Sequence, residues 1–272
     1  MRRWVLVSGC VVASCGGAQP TAPAAPPSTV EVPEAKSAPE TEASRAAPEA
    51  ARAGGSSDCV DALRRAADVP AEGEERAVYV RARAAEERGD LPEARKQYFE
   101  LVSKYPRSRL LPLAYLAFGE LFAREALSDP SKLDLATASY TEVVKYPPPD
   151  NAAYAYAMLR LGDTRRERDD AQALSSYKKA FEALQQFPSL PCAAELRQGA
   201  GDGLVDVYAR VGQPARAWVF LQASAGDERA RTLFTDLCAR YEKAGRAADA
   251  CAAARAAGAD ATAAELARKY CP

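Results

Sequence analysis

Asp169 and Asp170 are adjacent carboxylates, the residue types that two-carboxylate hydrolysis uses. Neighbours on a helix point about 100° apart, and at the start of a helix the same pair complements the positive end of the dipole. Capping is therefore the expected role. No clustered pair of buried carboxylates is legible elsewhere. The run TRRERDD, Thr164 to Asp170, reads as a solvated charged face, with a partner patch as the functional alternative. Histidine is absent, which removes Ser-His and Cys-His nucleophiles, an imidazole base and any His-containing zinc site. Carboxylate or lysine catalysis is left, so an enzyme is disfavoured. Lys and Arg number 36 against 37 Asp and Glu, so no net charge points to nucleic acid.

The first two cysteines belong to a different chemistry. Arg2 and Arg3 precede an apolar run from Trp4 to Ala13, and Cys10 and Cys15 end the tetrapeptides VSGC and VASC. This resembles a bacterial lipoprotein signal, in which a cysteine thiol takes a diacylglycerol and becomes the new N-terminus. Cleavage before Cys10 leaves an apolar core below the roughly 7–15 residues a signal needs; cleavage before Cys15 leaves enough. Cys15 is the expected lipidation site, and residues 1–14 the signal. A run of about 11 residues is too short for a spanning helix, which needs roughly 20. By the same resemblance, Gly16 in place of aspartate implies the outer membrane, facing the periplasm.

Residues 15–57 are almost wholly Ala, Pro, Glu, Ser, Thr and Gly, and cannot bury enough apolar surface to offset their ordering entropy. They are expected to form a disordered tether reaching between about 35 Å as a coil and about 130 Å fully extended.

From Asp58 to the end the pattern turns helical. In ERGDLPEARKQYFELVSKYPRS, Gly89 ends one helix, Leu91, Ala94, Tyr98, Leu101 and Val102 form the apolar face of the next, and Pro106 ends it. Apolar residues recur at Leu113, Ala117, Phe118 and Leu121. A small residue, an aromatic one turn later and a proline after the second helix resemble the tetratricopeptide (TPR) repeat, whose period is about 34 residues. Ala136, Tyr140 and Pro147 repeat the pattern, as do Ala173, Tyr177 and Pro188. Gly212 with Ala217 and Gly245 with Ala250 give the last two units. The expectation is an all-α, right-handed superhelical solenoid of about five TPR-like hairpins over residues 58–272, capped by a helix near Ala261 to Tyr270. A generic helical bundle is the alternative. The segment Ala94 to Ser108 is also similar to TPR lipoproteins of the Gram-negative envelope, of the kind that serve outer-membrane barrel assembly and Tol-Pal function.

Beyond Cys15 the cysteines are Cys59, Cys192, Cys238, Cys251 and Cys271, an odd number with no metal-ligand spacing. No metal or cofactor is expected. Cys251 with Cys271 would staple the capping helix to the last repeat; Cys59 with Cys192 would tie the first helix to the middle of the stack. Cys238 is expected to be a buried thiol.

The recurring Tyr98, Tyr140 and Tyr177 are expected in the core. Repeat proteins bind on the concave face of their first helices. Matching positions place Tyr79, Arg83, Leu116, Glu120 and Arg124 there, followed by Tyr156, Asp163, Arg166, Asp206 and Arg210. Exposed tyrosine and arginine are favoured at binding hot spots. The expected function is a non-enzymatic, lipid-anchored scaffold that binds a protein or peptide segment of the envelope, attached to the membrane through its lipid. The alternative is a cell-wall-acting envelope enzyme or an accessory to one.

Overall fold

The computed structural model describes residues 57–65, 73–166 and 168–272, all within one compact unit, Ala43–Pro272. The expected signal, Cys15 with its lipid, and the tether up to residue 56 lie outside the described residues.

The described residues form twelve α-helices and no strand: α1 Ser57–Arg65, α2 Glu74–Glu87, α3 Leu91–Lys104, α4 Leu111–Glu125, α5 Lys132–Val143, α6 Tyr154–Arg165, α7 Asp170–Gln186, α8 Ala193–Val211, α9 Ala217–Ala225, α10 Asp227–Lys243, α11 Ala247–Ala256 and α12 Ala261–Tyr270. A 3-10 turn, Pro214–Arg216, leads into α9.

Local chemistry sets many of the boundaries. Gly89 adopts φ 78°, which a side chain would resist. This lets Gly89 N–H bond Glu86 and Asp90 N–H bond Ala85, closing α2. Gly245, at φ 72°, closes α10 in the same way, with bonds to Glu242 and from Arg246 to Tyr241. Asp90 caps α3 by accepting from Glu93 N–H, with Pro92 in the first turn. Asp260 caps α12 through Thr262 and Ala263 N–H. Asp169 caps α7, accepting from Gln172 N–H at 2.9 Å.

Helices pack chiefly on their neighbours in sequence: α2 on α3, α4 on α5, α6 on α7, α10 on α11, with α12 on α11 and α10. Alternate helices also meet, α6 with α8 and α8 with α10. The alanines at the repeated positions, Ala94, Ala136, Ala173, Ala217 and Ala250, are all 0% exposed, as are Tyr98, Tyr140 and Tyr177. A methyl group at each of these sites lets two helices approach while large side chains fill the space on either side.

Two disulfides cross the fold. Cys59 in α1 is joined to Cys192 at the start of α8, with Cα atoms 5.7 Å apart across 133 residues of chain. Cys251 in α11 is joined to Cys271 beyond α12, 5.0 Å apart. Cys238 remains a thiol, buried in α10.

Candidate binding groove

The structure divides the ten expected groove residues into an interior set and an accessible set. Leu116 is 0% exposed, Tyr156 1%, Asp163 3% and Tyr79 5%. These four do not line an accessible groove. They are buried in the core, and the expectation that they face a partner is corrected. Glu120 also turns inward: it accepts hydrogen bonds from Tyr140 at 2.5 Å, Tyr156 at 3.0 Å and Arg160 Nε at 3.3 Å.

What these residues build is a buried polar network. Arg160 of α6 is its centre, touching Glu120 from α4 and, through Nη1, Asp163 at 3.3 Å. Tyr177 of α7 donates to the other oxygen of Asp163 at 2.8 Å. A smaller copy sits at the N-terminal end, where Glu86 accepts from Arg64 of α1 at 2.7 Å and from Tyr98 of α3 at 2.9 Å. One rule recurs: a tyrosine of the second helix in a pair donates to a carboxylate of the first, so the phenol keeps a partner when its ring enters the core.

The network sets two carboxylates apart. Burial works to raise the Glu120 pKa, but the Arg160 charge and the two phenol donors hold it below the ordinary value. Burial dominates at Asp163 and pushes it up to about 6 against the same arginine. A buried carboxylate, Asp163, and a part-buried one, Glu120, therefore do share one site, which the sequence pattern did not reveal. Their oxygens are taken up by Arg160 and the tyrosines, and neither residue lines the three surface pockets described below.

The remaining expected residues stay near the surface and are laced together. Arg83 pairs with Asp61 at 3.4 Å and Glu87 at 3.3 Å. Arg124 is exposed at the end of α4. Asp206 of α8 gathers three arginines: Arg166 at 3.5 Å, Arg210 at 2.6 Å and Arg240 of α10 at 3.0 Å. Arg210 also reaches Asp170 at 2.7 Å. Of the acidic pair, then, Asp169 caps a helix and Asp170 anchors an arginine. In the charged run, Arg168 pairs with Asp134 at 2.6 Å.

Between α8 and α10 these groups line a pocket of about 320 Å³. Among the described residues its charged lining is Arg210, Arg240, Lys243, Arg246 and Asp206, with Asp170 paired to Arg210 and Asp249 to Arg246 at 2.6 Å from just outside it. Tyr241 also lines it; Arg246 lies over the Tyr241 ring, 4.8 Å from its centre. The Tyr241 hydroxyl is buried and has no hydrogen-bond partner in the protein. Burial pushes this phenol up to about 12, so it stays a donor. Arg240, Lys243 and Arg246 escaped sequence reasoning because they lie on a charged turn with no motif. Their 33-residue offset from the Tyr208–Gln213 turn is the signal that could have found them.

A second pocket, about 470 Å³, lies between Pro147, Tyr154 and Phe187, and a third lies between α5, α6 and α7. The ligand atoms of Cys59, Cys192 and Glu195 fall within 4.8 Å of one another. With the two sulfurs bonded to each other, that cluster offers no thiolate to a metal. No described helix is long and apolar enough to cross a membrane.

Compared with known proteins, the chain matches no protein-family model, no curated protein and no solved structure.

Proposed function

We propose that this protein is a non-enzymatic adaptor of the bacterial envelope: a TPR-like, right-handed superhelical solenoid, hung from the outer membrane by a lipid on Cys15 and a long tether, which holds an acidic protein or peptide segment. The observation that carries this reading is the α8–α10 pocket, with four cationic side chains and one carboxylate among the described residues that line it. An acidic side chain or chain terminus complements that pocket, because a carboxylate forms charge-assisted bonds to lysine and arginine. Arg166, 3.5 Å from Asp206 and outside the pocket lining, extends the same chemistry.

The lipid and tether rest on the sequence pattern. Palmitate-analogue labelling of cells carrying wild type or Cys15→Ala tests the anchor: label on both proteins, or on neither, removes it. For the groove, a photo-cross-linking amino acid in place of Lys243 in the full-length protein should give a discrete adduct in cells, and Arg210→Glu with Arg240→Glu should abolish it. Adducts that persist in the charge-reversed protein would reject the pocket as the docking site.

A further inference from the structure

The pocket between α5, α6 and α7 lies away from the proposed groove. Each residue turns about 100° round a helix. Met158, Leu161 and Arg165 therefore fall on one side of α6, and the network residues Tyr156, Arg160 and Asp163 on the other. The cavity holds about 260 Å³, and none of the described residues that line it is acidic. Two are cationic, Arg165 and Lys179.

Arg165 is partly buried, at the last turn of α6. Among the described residues its side-chain hydrogen bond is to a neutral group, from Nη1 to Ser176 Oγ at 3.0 Å. Asp169 accepts from the backbone and side-chain nitrogens of Gln172. Desolvation accordingly draws the Arg165 pKa below the ordinary guanidinium value, with Asp169 only partly opposing it. A guanidinium withdrawn from water without a carboxylate is an unmet demand for an anion. Arg160, by contrast, is met by Glu120 and Asp163, and Arg210 by Asp206 and Asp170. Lys179 and Ser175, one turn apart on α7 and both exposed, also line the cavity. The floor is apolar, formed by Val144, Met158 and Leu161.

We infer that this cavity is a binding site for a small organic anion, with one carboxylate or phosphate head held between Arg165 and Lys179 and a short apolar tail over Met158 and Leu161. The volume falls just below the usual range of small-molecule pockets, roughly 300–1,000 Å³, which limits the ligand to a few heavy atoms beyond the head. The site does not depend on the groove and can stand or fall without it.

The test is titration of the full-length protein in detergent with butyrate and with butyl phosphate, each against neutral butyramide, read by NMR at Arg165 Nε–H and the Ser175 and Ser176 amides. Saturable shifts with either anion and none with butyramide are expected, and the stronger anion identifies the head group. Lys179→Gln and Ser175→Asp, both at exposed positions, should each weaken binding at least about tenfold while the helical circular-dichroism spectrum is kept. No saturation with either anion, an equal response to butyramide, or binding unchanged in both variants would overturn the inference.

Discussion

Gly162 of α6 lies against the ring of Tyr177 in α7 so closely that a methyl group on the glycine would come within 2.4 Å of a ring carbon. Gly203 of α8 meets the same ring from another side. Two glycines on alternate helices thus admit one aromatic ring, and Asp163, next to Gly162, receives its hydroxyl. Gly119 and Glu120 stand in the same relation to Tyr140.

Gly162→Ala should cost about 1–3 kcal/mol in urea unfolding, the usual range for overpacking. In a Tyr177→Leu background most of that added cost should vanish, because the ring is gone. Gly199→Ala, whose new methyl would meet only Leu159 at 3.4 Å, is the control. It should be neutral or slightly stabilising, since alanine favours helix. Equal losses at Gly162 and Gly199 would show that the ring does not set the constraint.

Arg160→Met should be among the most damaging single changes, about 3–5 kcal/mol, because it leaves Glu120 and Asp163 buried without their cation. Arg124→Met, on an exposed side chain of the preceding helix pair, should lie within about 0.5 kcal/mol of wild type.

Asp163 ties stability to pH. Its ordinary pKa of 3.8 rises to about 6 in the fold. The raised value favours the protonated native state, so the contribution is fully present below 3.8 and is lost as pH rises through about 6. Two units correspond to roughly 3 kcal/mol. Asp163→Asn lacks this titration. The stability of wild type relative to the variant should therefore fall by about that amount between roughly pH 4 and pH 7. Unfolding curves at three pH values check it; a flat difference means that Asp163 ionises normally.

The two disulfides should differ in weight. In the chain-entropy account, closing 133 residues contributes about 5 kcal/mol and closing 20 about 3. Cys59→Ser with Cys192→Ser should therefore lower the melting temperature more than Cys251→Ser with Cys271→Ser. The reverse order would mean that the C-terminal staple carries the greater part.

Burial pushes the Cys238 thiol up to about 12. In native protein with both disulfides intact, iodoacetamide near pH 8 should leave Cys238 unmodified and should alkylate it once urea unfolds the chain. Rapid labelling of the native form, read by mass spectrometry, would contradict its burial.

By itself the sequence determined the features that neighbours along the chain control: helix over strand, the glycine and aspartate boundaries, the buried Ala and Tyr positions, and a final helix, Ala261–Tyr270. These follow from the helical period and from hydrogen bonds that close within five residues. It also limited the chemistry, since a chain without histidine cannot assemble an imidazole site. Tertiary structure alone decided which polar groups face inward. Arg160 and Glu120 are 40 residues apart, and nothing local marks them as partners. Leu116, Tyr156 and Asp163 occupy the helix positions that a groove reading requires, yet the adjoining helices cover them. A helical period fixes which residues share a face; only the packed neighbours decide whether that face meets water, and with it whether a charge binds a partner or holds the fold together.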